Sequence, residues 1–151
     1  MNLRDALPAE AIVTLAHADD WRAAVRLAGE RLVASGATTD AYTDEMLAAI
    51  DEHGPYIVIA PGFALAHARP SAAVLRTGLS WVSLAEPVPF GHSVNDPVRL
   101  VVGLAATDHD GHIEVMSSLA GILADASALD ELLAADSPSR VRDLLVRHSP
   151  A

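Results

Sequence analysis

The sequence predicts an α/β fold: a single domain, residues 1–151, with a small mixed (parallel and antiparallel) β-sheet flanked by α-helices on both faces. Three observations lead there. Val98 to Ala106, VRLVVGLAA, is almost wholly apolar, the pattern of a central strand covered on both sides. Strand and helix periodicities interleave in the order β, α, α, β-β, β, β, α, α, α. The steps from Ala60 to Phe63 and from Ala66 to Arg76 are too short for helical crossovers, so some strand pairs run antiparallel.

The elements follow in chain order. Asn2 to Leu7 suits a short helical turn, stopped by Pro8. Ala11 to Leu15, AIVTL, reads as a strand. Asp19 and Asp20 offer N-caps to a helix over Trp21 to Ser35. Trp21, Ala24, Val25, Ala28 and Leu32 share one face of it, and Gly36 closes it at C′. Thr38, Thr39 and Asp40 open a second helix with Tyr42, Met46, Leu47 and Ile50 on its apolar face. Thr43 is placed to cap a later turn, and His53-Gly54 end the helix. Tyr56 to Ala60 and Phe63 to Ala66 read as strands around a break at Pro61-Gly62. Arg76 to Leu84 alternates partly and reads as a strand, and Glu86 to Pro97 reads as a loop. After the apolar strand and the turn TDHDG, helices are expected over His112 to Ala124, Ala128 to Ala135 and Pro138 to Arg147. Ser137 and Pro138 form an N-cap and N1 pair for the last of these.

Composition narrows the chemistry. Of the 151 residues, 51% are hydrophobic and 20% charged, which suits a packed core and not a disordered chain. Aromatics are 4%, so the core must be built from Ala, Val, Leu and Ile. There is no cysteine, which excludes disulfides, thiolate nucleophiles and Cys-based zinc sites and fits a cytoplasmic location. The formal net charge of −10 argues against nucleic acid as a partner. No lysine occurs, so Schiff-base and P-loop lysine chemistry are excluded. Neither a Walker A motif, nor G-x-G-x-x-G, nor a G-x-S-x-G elbow is present. No apolar run reaches the roughly 18 residues of a membrane span, and the N-terminus lacks a signal-peptide core.

The stretch Gly54 to Pro70, GPYIVIAPGFALAHARP, carries the chemical signal. An apolar strand ends in His67, with Arg69 two residues on. Imidazole titrates near neutral pH, and its neutral form is a nucleophile. A buried or capping histidine that only donates a hydrogen bond fits the same spacing. His112 follows the second apolar strand by a short turn and should start the next helix, where backbone N–H groups and the helix dipole favour anions. His67, His112 and Arg69 at one end of the sheet would suit a phosphoryl group: one imidazole attacks phosphorus while the others hold equatorial oxygens. A helix-start histidine without a role is the alternative for His112. Asp108-His109-Asp110-x-His112 also offers carboxylates and imidazoles to a metal, though without the HExxH spacing. Ser83, Ser93, Ser117 and Ser118 leave a weaker serine-hydrolase reading. Asn95 and Asp96 read as a turn positioning Pro97.

Ala60 to Pro70, Asn95-Asp96-Pro97-Val98 and His112-Ile113-Glu114 together resemble the enzyme IIA component of the sugar phosphotransferase system. The resemblance is to the mannitol/fructose class, most closely its ascorbate-type branch, and runs from Leu3 to about Leu145. It implies that His67, in Ala66-His67-Ala68-Arg69, accepts a phosphoryl group from the phosphocarrier HPr and passes it to a cysteine of enzyme IIB. A membrane enzyme IIC would then be served indirectly. The family's second active-site histidine falls on His112, with Arg69 stabilising the phosphoryl group. No cofactor and no metal are implied, and a dimer is compatible with the sequence. Ala66 departs from the family, which usually has proline before the acceptor, so the local loop is expected to be looser. Phe63, Leu65 and Phe90 are expected to form a rim for a partner helix or to lie in the core. A regulatory enzyme IIA-like module, signalling its phosphorylation state to a transcription or transport partner, is the alternative function.

Overall fold

The computed structural model describes residues 3–148; the side chains of Arg4, His109, His112 and His148 lie outside the described part. A short helix α1 (Leu3–Ala6) and a 3-10 turn lead into strand β1 (Ile12–Ala16). Helices α2 (Trp21–Ala34) and α3 (Asp40–His53) follow, then β2 (Val58–Ala60), β3 (Phe63–His67), β4 (Gly78–Val88) and β5 (Val98–Ala105). Helices α4 (His109–Leu123), α5 (Ala126–Ala134) and α6 (Pro138–His148) complete the order. The five strands form one mixed sheet in the order β1-β4-β5-β3-β2. β1–β4 and β3–β5 are parallel, while β4–β5 and β2–β3 are antiparallel.

Local chemistry explains the helix ends. Asp20 accepts the Ala23 N–H at 2.8 Å and caps α2. Gly36, at φ +80°, closes the same helix: Ala37 N–H donates to Leu32 O and Gly36 N–H to Val33 O, the paired bonds of a Schellman motif. Ser137 Oγ accepts from Arg140 N–H ahead of Pro138, as the cap pair predicts.

The two faces of the sheet are packed differently. Along β3 and β5, Ala64, Ala66, Val101 and Ala105 face a core shared with α2 and α3. Phe63, Leu65, Leu100, Val102 and Leu104 face a second core with Trp81, α4, α5 and α6. Gly103 falls on the small-residue face, where a Cβ would overlap Ser80 Oγ and come within 3.2 Å of Leu32 Cδ1. Ser80 Oγ is itself committed, donating to Ala28 O at 2.8 Å across the sheet–helix interface. Small residues let α2 approach closely; large ones fill the wider gap to three helices.

Several boundaries differ from expectation. β4 runs to Val88, four residues beyond the alternating stretch, because Val88 pairs with Val98 past a bulge. α4 begins at His109, three residues early, so His112 sits in its first turn and not at its start. By position its N–H belongs to the helical ladder, since the unpaired N–H groups of a helix end with the third helical residue. Thr43 caps nothing: it is buried against α2, its side chain filling the space a Cβ on Gly29 would take. Phe63, Leu65 and Phe90 are each at most 5% exposed and belong to the core, while Phe63 and Leu65 also line an apolar pocket of about 260 Å³ with Ile59, Met116 and Leu119.

Gly103→Ala should destabilise the fold by about 1–3 kcal/mol, the usual cost of overpacking. Adding Ser80→Ala removes the first obstacle, so the double variant should lose less than the sum of the singles in chemical denaturation. Strict additivity would disprove the contact.

Candidate functional site at the carboxyl end of the β3–β5 pair

β3 ends in His67, which pairs in register with Leu104 of β5. The strands are parallel, so both carboxyl ends emerge at one end of the sheet, and α4 starts five residues after Leu104. The backbone thus brings the His67 end of β3 and the first turn of α4, with His112, to the same end. The His112 side chain is outside the described residues. Alternation puts His67 on the face of Phe63 and Leu65, the face that α4 covers.

The imidazole is held by its own strand. His67 Nδ1 lies 2.7 Å from Leu65 O. A carbonyl only accepts, so Nδ1 carries the proton and the lone pair of the neutral ring sits on Nε2. Ala66, buried between the two, pairs with Gly103 and keeps the strand regular up to His67. The looser loop expected from the missing proline does not occur there, because the ladder already holds the extended backbone that proline would favour.

Two tyrosines bracket the strand end, and sequence reading assigned neither to the site. Tyr42, on α3, receives the Ala68 N–H at 2.9 Å and donates to Leu104 O at 2.7 Å. Its hydroxyl thereby joins the β3 end to β5 where the ladder stops. Burial pushes its pKa up to about 12, partly offset by the Ala68 backbone hydrogen bond. Tyr56 donates to His67 O at 2.9 Å and meets the imidazole edge to face, with ring centroids 5.4 Å apart and planes at 79°. Its pKa is also raised, by burial. A signal for Tyr42 was available: a tyrosine on the apolar face of a helix must bring its hydroxyl to a partner. Tyr56 follows the Gly54-Pro55 turn and had no periodicity to mark it.

A cleft of about 740 Å³ opens over this end. His67, Arg69, Tyr56, His53, Glu45 and Glu52 line it, so Arg69 and His67 share one cleft. Among the described residues no three His, Asp or Glu side chains group as metal ligands; the Asp108–His112 segment includes two histidines outside that description. Ser83, from the weaker hydrolase reading, is buried and accepts the Leu15 N–H at 2.8 Å. Asn95 and Asp96 are far along the strand from His67, at the amino end of β5. Asp96 accepts the N–H groups of Phe90, Gly91 and His92, while His92 Nδ1 accepts those of Val94 and Asn95. These residues build a turn, as the Asn-Asp-Pro reading expects.

Comparison with known proteins places this fold and chain among the phosphotransferases of sugar uptake. The profile of the family described as "Phosphoenolpyruvate-dependent sugar phosphotransferase system, EIIA 2" matches residues 5–148, and the chain belongs to that family. It is 37% identical over 153 residues to the ascorbate-specific PTS system EIIA component of Escherichia coli K12, covering 100% of this chain and 99% of that protein. A PTS IIA domain from Streptococcus pyogenes superposes with a TM-score of 0.89 at 33% identity, covering 100% and 99% of the two chains. The complex of mannitol enzyme IIA with phosphorylated enzyme IIB from E. coli contributes a chain with TM-score 0.79 and 31% identity, over 93% of this chain and 96% of that one. EIIA components are phosphotransferases, and the chain is one such component of a sugar uptake system. Among the described residues no helix is long and apolar enough to cross a membrane.

Tyr42→Phe leaves the Ala68 N–H and Leu104 O without the phenol oxygen and should cost about 1–3 kcal/mol. The folded pKa lies above the ordinary 10.0, so the neutral phenol stabilises the fold fully below pH 10 and loses that contribution as pH rises towards about 12. Denaturant titrations should therefore show the gap between wild type and Tyr42→Phe closing over that window. A gap that stays constant would show that the phenol does not titrate against folding.

Proposed function

We propose that His67 is the phosphoryl acceptor and carries the group on Nε2. The observation that supports this most directly is the Nδ1–Leu65 carbonyl bond, which puts the lone pair of the neutral ring on Nε2 in a residue that lines the cleft. Phospho-HPr is the donor, itself a phosphohistidine. The Nε2 lone pair forms the new N–P bond, and the donor's N–P bond breaks with its electron pair returning to the donor nitrogen. The Nδ1 proton stays in place, so the step needs no general base. Such transfer between nitrogens of similar energy requires positioning more than acid–base work. A cysteine thiolate of an enzyme IIB then takes the group from His67, and the membrane enzyme IIC is served indirectly.

Arg69 and His112 are assigned to the phosphoryl oxygens: Arg69 shares the cleft with His67, and the first turn of α4 lies at the same end of the sheet. The guanidinium is suited to two parallel N–H donations. The transported substrate is proposed to be L-ascorbate or a close analogue, on the strength of the curated relatives named ascorbate-specific at 37% identity over the full chain. The chain would act as one 1–151 carrier unit in the cytoplasm, where HPr and enzyme IIB would meet it.

Isolated phospho-HPr should label the wild type at one site, and His67→Ala should take no label while keeping its fold. Label persisting on His67→Ala would move the acceptor elsewhere. Arg69→Ala and His112→Ala should still be labelled but transfer about 10²–10³ slower, the cost of losing one preorganised donor. A chelator should leave acceptance unchanged. Discharge by an ascorbate-type enzyme IIB, and not by a mannitol-type one, would support the substrate; the reverse preference would overturn it.

A further inference from the structure

We propose that Tyr56 is a positioning residue for phosphoryl transfer, acting through His67 by fixing both the backbone and the ring plane of the acceptor. The inference rests on His67 being the acceptor.

Contacts to Leu65 and Tyr56 bear on the imidazole's pose. Leu65 O takes the Nδ1 proton at 2.7 Å. The Tyr56 hydroxyl donates to the carbonyl of His67 itself at 2.9 Å. The Tyr56 ring stands against the imidazole at 79°, with centroids 5.4 Å apart. The first contact sets the tautomer. The aromatic ring on the flank of the imidazole limits rocking about the Nδ1 bond. His67 O lies at the last residue of β3, so the phenol holds the strand end by the group that no further strand residue follows. Tyr56 is in turn backed by His53, edge to face at 6.1 Å and 89°, so a three-ring stack runs from the end of α3 to the acceptor.

The contact changes character during the reaction. When Nε2 attacks, its lone pair becomes the N–P bond while Nδ1 keeps its proton, so the ring turns from neutral imidazole to an imidazolium bearing the phosphoryl group. The Nδ1–H donation to Leu65 O then becomes charge-assisted, so a flank that keeps the ring aimed at that carbonyl matters more in the charged state than in the neutral one. An interaction that grows towards the charged state raises the rate and not merely the affinity. Tyr56 is 38% exposed and lines the cleft, so replacing it should spare the core.

The test compares Tyr56→Leu and Tyr56→Phe with wild type. Phosphoryl acceptance is measured from isolated phospho-HPr and from phosphoramidate, a small donor with the same P–N bond. The His67 tautomer is read by nitrogen-15 NMR of the unphosphorylated protein. Tyr56→Leu should keep the fold but accept roughly tenfold more slowly from both donors, as expected for losing an aromatic pair. KM for phospho-HPr should stay near its wild-type value while kcat falls. Its His67 should show a mixture of tautomers where wild type shows Nδ1–H alone. Tyr56→Phe keeps the ring and should recover most of the rate. A wild-type rate and a wild-type tautomer in Tyr56→Leu overturn the inference, as does a raised KM with kcat unchanged, which would make Tyr56 a docking residue. If wild type itself takes no label from either donor, the acceptor assignment fails separately; the tautomer comparison still decides whether Tyr56 positions the ring.

Discussion

The parallel pairing of β3 with β5 is the constraint on which the site depends. Five consecutive residues of each strand are in register, from Phe63 opposite Leu100 to His67 opposite Leu104. Parallel strands send their carboxyl ends the same way, and ligands of open α/β sheets gather outside those ends. The pairing therefore decides that the turn after β5 and the first turn of α4 emerge beside His67. It also demands cover on both faces, because a parallel pair is stable only when buried. Everything else in the fold supplies that cover or holds that end.

The cover is asymmetric, and side-chain size is the reason. On the α2–α3 side, Ala64, Ala66, Gly103 and Ala105 leave no bulk, and Ser80 fills the remaining space by bonding to Ala28 O. A helix seated this closely brings the Tyr42 hydroxyl of its neighbour α3 within reach of both Ala68 and Leu104. On the other side, Phe63, Leu65, Trp81 and Leu104 form a thicker layer under α4, α5 and α6. The same strand thus serves two needs: small residues pull one helical layer close enough to tie off the strand end, and large ones keep the other at packing distance.

The far end of the sheet is anchored as firmly as the site. Asp96 gathers three backbone N–H groups and His92 two more, so the 90–97 turn satisfies its own donors without strands. Asn95 ties this turn to the β2–β3 hairpin: its carbonyl accepts the Gly62 N–H at 3.0 Å and its amide reaches Val58 O at 3.3 Å. Gly62, at φ +74°, makes the tight step from β2 to β3, and its carbonyl accepts from Arg99 and Leu100 N–H. Register at the start of β3 is thereby set, and a strand of five residues transmits that register to His67 at its end. His92 contributes to the fold through a neutral Nδ1, a use that the spacing of histidines in the chain does not reveal.

Sequence alone determined the class of fold, the order of elements and the helix caps, because these follow from local periodicity and local hydrogen bonds. The apolar run Val98–Ala106 required a central strand; Asp20, Gly36 and Ser137 required helix ends where they stand. His67 was legible as the polar end of an apolar strand. Only the tertiary structure decided which strands pair, and with that, what surrounds His67. The paired β5 is more than thirty residues away in sequence, and no local signal encodes that choice. Tyr42 was legible as a buried helix residue but not as the bridge between two strand ends, because its partners are backbone groups of residues 68 and 104. Tyr56 gained its place only when the chain turned back at Gly62 and set β3 beside the segment before β2. The extension of β4 to Val88 has the same origin: pairing with Val98 outweighed local composition.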